Sequence, residues 1–201
     1  MEGKKLKNLD QIGKKIKKLF ENEDRIREES LRITREITRI SKKSISELHK
    51  GRYKFAERYI NKAIEELNIL KKKLKKYPEI YYAGFLHLCE KEVIEAIISL
   101  YLIRKKEIPR PEKYNFDLIS FLHGLSESTG ELRRYILDNI RKGKIDGIED
   151  YLEIMDIIYN FLLNFNYPEN ITRSLRRQID YVRGIVERTR SDITYAIVKG
   201  K

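Results

Sequence analysis

The sequence predicts an all-α protein, a bundle of seven helices forming one domain over residues 1–201. Three observations carry this expectation. Apolar residues recur at spacings of three and four along nearly the whole chain, the period of a helix with one buried face. No alternating apolar and polar run bounded by turn residues marks a strand. Only four Pro and ten Gly punctuate the 201 residues, and several of them fall between the periodic stretches.

The first helix carries Leu6, Leu9, Ile12, Ile16 and Leu19 on one side and Lys4, Lys5, Lys14, Lys15, Lys17 and Lys18 on the other, an amphipathic helix with a basic face. Asn22 to Asp24 form a capping cluster, so a second helix is expected to begin there and to run through Ile26, Ile33, Ile37, Ile40, Ile45 and Leu48 until Gly51. Phe55, Ile60, Ile64, Leu67, Leu70 and Leu74 make a third, ending at Tyr77, where the following Pro78 disfavours helical backbone. Pro78 opens a fourth helix through Leu86, Val93, Ile97 and Leu100, apolar around much of its circumference and therefore central. Pro109 and Pro111 mark a loop before a fifth helix over 116–140, and Gly143 and Gly147 a turn before a sixth over 148–165. Pro168 opens the seventh, whose stripe of Leu175, Ile179, Val182, Val186, Ile193 and Ile197 is long enough that its far end is expected to pack on another subunit.

Charged residues are 37% and hydrophobic residues 41% of the chain, which excludes disordered and low-complexity classes. The longest apolar stretch, 96–103, contains Ser99 and stops at Arg104, far short of the roughly 20 residues a membrane span needs. With one cysteine, Cys89, and no signal-like apolar run, the expected compartment is the cytoplasm. Forty-three Lys and Arg against thirty-one Asp and Glu leave a net charge of +12, which attracts polyanions and makes nucleic acid the leading partner class. The same Lys-, Glu- and Ile-rich composition fits the ionic surface of a heat-adapted protein.

Standard catalytic motifs are absent: there is no Gly-rich phosphate loop, nucleophile elbow or Cys/His zinc spacing. Cys89, among apolar residues of the central helix, reads as a small core side chain. The acidic residues say more. Glu92 and Glu95 lie three apart in the fourth helix, and Glu127 and Glu131 four apart in the fifth, so each pair shares one helix face in apolar surroundings. If the two helices pack together, an oxygen-rich cluster suited to Mg²⁺ or Mn²⁺ results. Otherwise each pair is an ordinary charge feature balanced by Lys91, Arg133 and Arg134. His123, four residues before Glu127, can join the stripe, although a lone histidine, like His49 and His87, is more often a hydrogen-bonded structural residue.

Three segments, in order along the chain, resemble the translin family and within it the branch of translin-associated factor X (TRAX) and its archaeal relatives. Thr34-Arg-Glu-Ile-Thr-Arg-Ile-Ser-Lys-Lys-Ser-Ile-Ser-Glu-Leu-His49 is similar to the family's N-terminal signature. Glu92-Val-Ile-Glu-Ala96 resembles the TRAX segment with two catalytic glutamates three apart, and Gly124-Leu-Ser-Glu-Ser-Thr-Gly-Glu-Leu-Arg-Arg134 the run that carries its catalytic aspartate. The resemblance implies that Glu92, Glu95 and Glu127 are metal-binding catalytic acids, with Glu127 standing where the family has aspartate. It also implies that Glu131 is an outer ligand or a structural residue, since translin keeps this glutamate while lacking the catalytic set. His123 matches no family position.

What the family implies for function is a metal-dependent endoribonuclease that cuts single-stranded RNA inside a closed oligomeric shell. The shell is an octamer in the best-known assemblies, here a homo-oligomer or a partner of a translin-like subunit. Arg133 and Arg134 follow the acids, and Arg134 by its motif position is expected to hold the RNA backbone. Arg27, Arg32, Arg35 and Arg39 either extend that surface or form a solvated helix face. A non-catalytic RNA- or DNA-binding shell is the alternative. A di-iron carboxylate bundle is disfavoured because no Glu-x-x-His occurs.

Overall fold

The structure, a computed structural model, describes residues 7–105 and 107–199. The described residues are all-α, with no strand. Their helices are α1 (Lys7–His49), α2 (Tyr53–Leu74), α3 (Pro78–Tyr81), α4 (Phe85–Ile103), α5 (Leu118–Arg141), α6 (Ile148–Leu162), α7 (Glu169–Thr172) and α8 (Leu175–Lys199), with a short 3-10 turn at Pro111–Tyr114. None is long and apolar enough to cross a membrane. Leu6, Lys4 and Lys5 lie outside the described residues.

The partition differs from the expected one at three places. Asn22 to Asp24 do not start a new helix, and α1 runs through them unbroken. No proline or glycine stands there, and the Asn22 side chain accepts from Arg25 Nη2 at 3.0 Å instead of capping a backbone N–H. Second, Pro78 opens only one turn, because Gly84 at φ +93, a value comfortable only for glycine, re-aims the chain before α4. Third, the turn after Pro168 is cut from α8 by Arg173 and Ser174, both left-handed at φ 50 and φ 65.

Helix directions follow from the residue pairs that meet. Thr34 reaches Cys89 and Lys42 reaches Glu92, so α1 and α4 run parallel. His87 meets His123 edge to face and Lys91 pairs with Glu127, so α4 and α5 are parallel too. Ser126 meets Gln178 and Arg133 meets Asp192, which makes α5 and α8 parallel. Against α1, α2 returns antiparallel, with Lys73 on Glu29 and Ser44 on the Ala56 carbonyl. At the centre α4 buries Cys89, Val93, Ile94, Ile97 and Leu100 around most of its circumference. Cys89 is a core residue, as expected, and burial pushes its thiol up to about 12.

The apolar stripe expected to contact another subunit is satisfied within the chain, since Leu175, Ile179, Val182, Val186 and Ile193 of α8 are buried and Ile197 is partly so. The uncovered stripe is on α1 instead. Leu9, Ile12, Ile16, Leu19 and Phe20 are all exposed, and the helix enters the core only from Ile26 onward. Phe55 likewise points outward, and Ala56 takes its place in the core.

Gly124 sets the spacing of the two central helices. A Cβ there would lie 2.6 Å from Ile94 Cγ2 and 3.0 Å from the Lys91 carbonyl oxygen. Gly124→Ala gains about 1 kcal/mol of helix propensity, but the clash falls partly on backbone and forces the helices apart. A net loss of about 1–3 kcal/mol is expected from overpacking, read as a lowered Tm at about 2–4 °C per kcal/mol for a chain of this size.

Candidate active site

The parallel, in-register packing of α4 and α5 turns two carboxylate pairs into one group. Glu92 and Glu95 face Glu127 across the contact that Gly124 keeps short, and the three each offer an oxygen within 4.8 Å of one another. All three are half-buried. Glu131, one turn beyond Glu127, joins Glu95 and Glu92 in lining a cavity of about 280 Å³ closed on the α1 side by Lys42, Ile45 and Ser46.

Basic side chains answer these charges unevenly. Lys91 Nζ is 2.7 Å from Glu127 Oε1 and 3.7 Å from Glu92 Oε1, and Lys42 Nζ is 3.7 Å from Glu92 Oε2. Burial works against the Lys91 charge, but the Glu127 hydrogen bond and the charges of Glu127, Glu92 and Glu95 outweigh it and hold its pKa above the usual value. Glu131 Oε2 lies 2.5 Å from His49 Nε2 and 3.8 Å from Arg134 Nη1. Glu95 has no ion-pair partner among the described residues. Burial first, then the charges of Glu127, Glu131 and Glu92, push its carboxyl up to about 8.

The expected basic residues divide. Arg134 reaches Glu131 and borders the cavity, whereas Arg133, one residue and about 100° of helix away, turns to α8 and binds Asp192 and Thr189 at 2.7 and 3.1 Å. On the exposed side of α1, Arg27 pairs with Glu28 and Arg39 with Glu36, while Arg32 is exposed. Arg35 borders a groove of about 360 Å³ that it shares with Glu92. His123 Nε2 donates to the Thr172 carbonyl, 3.0 Å away, and His87 Nδ1 lies 2.6 Å from Ser120 Oγ, both structural contacts. For the carbonyl the donor must be the ring N–H, so His123 Nε2 carries the proton. Two participants carried no spacing signal: Lys91, which touches Glu127 only through the helix pairing, and His49, expected as a hydrogen-bonded structural histidine and found on Glu131.

Three carboxylates converging from two helices, with one ammonium among them, form a site that demands positive charge and offers hard oxygen donors. These are the donors that Mg²⁺ and Mn²⁺ take. In EDTA, with the cation withheld, the raised Glu95 pKa makes stability fall as pH rises. The unfolded chain releases this proton near the ordinary value of 4.5 and the folded chain only near 8. Melts in EDTA are therefore expected to show declining Tm across that window and a plateau above it, with the slope reduced in Glu95→Gln.

Fold and site together define an all-α bundle that gathers acidic side chains of parallel helices at a half-buried cleft. No protein-family model matches the chain. A protein of Methanocaldococcus jannaschii, itself uncharacterized, is 34% identical over 180 residues, 86% of this chain and 77% of that one. The crystal structure of AfC3PO, from Archaeoglobus, matches with a TM-score of 0.82 at 34% identity over 96% of this chain and 98% of its own. A structure of AfC3PO in complex with duplex RNA matches at 0.81, with 34% identity over 96% and 97% of the two chains. Apo-NeC3PO, from Nematostella, matches at 0.82 with 25% identity over 95% and 98%. The chain belongs to the translin family.

Proposed function

We propose that this chain is a TRAX-type, metal-dependent endoribonuclease that cleaves single-stranded RNA within a closed homo-oligomeric shell, its 201 residues acting as one domain. The convergence of Glu92, Glu95 and Glu127 within 4.8 Å carries this reading. In it these three glutamates hold Mg²⁺ or Mn²⁺, with Glu131 outside them. The bound cation supplies Lewis-acid polarisation of a phosphate oxygen and a water of lowered pKa. His49 fixes Glu131 from behind, Arg134 stands at the cavity mouth to take a backbone phosphate, and Lys91 screens Glu127 and Glu92 from each other.

RNA as the polymer is supported by the +12 charge and by the RNA complex of AfC3PO. Because that RNA is a duplex, selectivity for single strands is assigned here to cleavage rather than to binding. The shell is supported by the uncovered stripe of Leu9, Ile12, Ile16, Leu19 and Phe20, which a neighbouring copy or a translin-like subunit would bury. An octamer follows the family pattern, and a cytoplasmic location fits the reading. One observation favours the non-catalytic binding shell as the second reading: the Lys91 ammonium already lies against Glu127 and Glu92.

Light scattering is expected to give several times the 24.1 kDa chain mass at micromolar concentration. RNA affinity is expected to fall steeply between 50 and 200 mM salt, roughly a thousandfold for six phosphate contacts. A monomer mass, or a flat salt response, contradicts the shell or the polyanion partner respectively.

A further inference from the structure

A groove lies at the start of α4. Its first chamber, about 250 Å³, is lined by Lys75, Tyr81, Tyr82, His87, Phe116 and Arg173 among others. His87 and Arg173 also line a second chamber of about 570 Å³, whose wall includes Lys91, and the Lys91 ammonium sits on Glu127. From His87 to Glu95 is eight residues of one helix, about 12 Å, with Lys91 midway. A polymer seated in this first chamber is therefore about two nucleotide spacings along α4 from the cluster.

The groove has unspent positive charge. Lys71, buried, is committed to Glu90 at 2.7 Å, but Lys75 and Arg173 have no ion-pair partner among the described residues. Asp117, the acid at the rim, accepts from Ser120 N and Ser120 Oγ as the N-cap of α5, and lies 3.9 Å from His87 Nδ1. His87 is neutral, since burial, then Arg173 and His123, press its pKa down to about 4. Beside the cations stands Tyr82, 72% exposed, with its ring edge-on to Tyr81 at 5.0 Å. An exposed ring next to unpaired cations is the arrangement on which a nucleobase stacks while its phosphate is held.

The backbone adds an independent sign. Arg173 and Ser174 are consecutive non-glycine residues in left-handed conformation, at φ 50 and φ 65, where an L side chain costs about 1 kcal/mol or more. Glycine would adopt these angles freely. At 173 the chain carries a long cation in this conformation, as it does at Lys105, and here the cation borders both chambers.

We propose that this groove is a nucleotide subsite of the RNA track, in which Arg173 and Lys75 hold a backbone phosphate remote from the scissile bond and Tyr82 stacks on the attached base. The proposal rests on the RNA-cleavage reading above for its substrate, but its test does not use cleavage. The full chain, in EDTA, is titrated with a labelled single-stranded 12-nucleotide RNA across a salt series, and thermal melts are run in parallel. Arg173→Gly is expected to weaken binding about tenfold and to lower the salt slope by about one, because one phosphate contact is lost. Its Tm is expected to equal or exceed the wild type, because the left-handed strain is relieved. Tyr82→Ala is expected to weaken binding about tenfold with the slope unchanged, because stacking carries no counterion.

Wild-type affinity and slope in both variants would overturn the subsite. So would a lowered Tm in Arg173→Gly, which marks a residue kept for the fold. Displacement of the RNA by micromolar 5′-AMP would assign the groove to a free nucleotide and overturn the RNA track. If the wild type fails to cleave RNA while both variants bind as expected, the cleavage reading falls and the subsite stands.

Discussion

Glu127→Gln is expected to lower RNA cleavage at least about a hundredfold while RNA affinity stays within about twofold. The substitution keeps the side-chain shape and removes one of the three charges that converge within 4.8 Å, so the strongest demand for a divalent cation is lost. The basic surface that binds the RNA backbone is untouched. Stability in EDTA is set by two opposed effects. Relief of Glu95, whose pKa is raised in part by Glu127, favours the variant. Loss of the charged partner of Lys91, 2.7 Å away, disfavours it. Repulsion among the acids alone predicts a Tm at or above the wild type. With the Lys91 pair included, a change within about 1 kcal/mol of zero is expected. The added stabilisation that Mg²⁺ gives the folded wild type through binding is expected to disappear. Cleavage time courses and melts with and without Mg²⁺ check each part.

Lys71→Ala is expected to cost about 3–5 kcal/mol of stability, the largest effect of any single substitution away from the acids. Lys71 and Glu90 are buried together at 2.7 Å, so removing the ammonium leaves a carboxylate with no compensating charge. The same Nζ donates to the Asn115 carbonyl, so the loop that leads into α5 loses its anchor as well. Replacing both partners by apolar residues, as in the double variant Lys71→Met with Glu90→Met, is expected to recover most of the loss. Part is not recovered, because Glu90 also accepts from the Asp117 N–H at 3.2 Å. Urea denaturation of the two variants beside the wild type reads the difference.

Periodicity and punctuation made much of this legible in the sequence. Spacings of three and four specify helices, and Gly51, Pro78, Gly143, Gly147 and Pro168 stand at or beside real breaks. The acid pairs were visible because a three- or four-residue spacing places two side chains on one face wherever the helix packs. Their convergence was not visible, since it depends on α4 and α5 running parallel in register, a relation carried by Gly124 against Ile94 and Lys91. Periodicity also shows that a helix has an apolar face without showing what covers it. Hence the α8 stripe is internal and the α1 stripe is bare. The cap-like Asn22 to Asp24 misled for a similar reason: a capping residue permits a helix start but does not force one. Arg133 and Arg134 are neighbours in sequence, yet the helical turn between them sends one to α8 and the other to Glu131.

The most direct measurement is cleavage of an end-labelled single-stranded RNA by the purified chain with no other protein present. The expected result is fragments in Mg²⁺, none in EDTA, fragments again when Mg²⁺ is restored, and cleavage at least about a hundredfold slower with Glu127→Gln. Cleavage that persists in EDTA, or runs at the wild-type rate in Glu127→Gln, would contradict a catalytic role for the carboxylate cluster. Intact RNA in Mg²⁺, with tight and salt-dependent binding, would show instead a translin-like shell that binds RNA without cutting it.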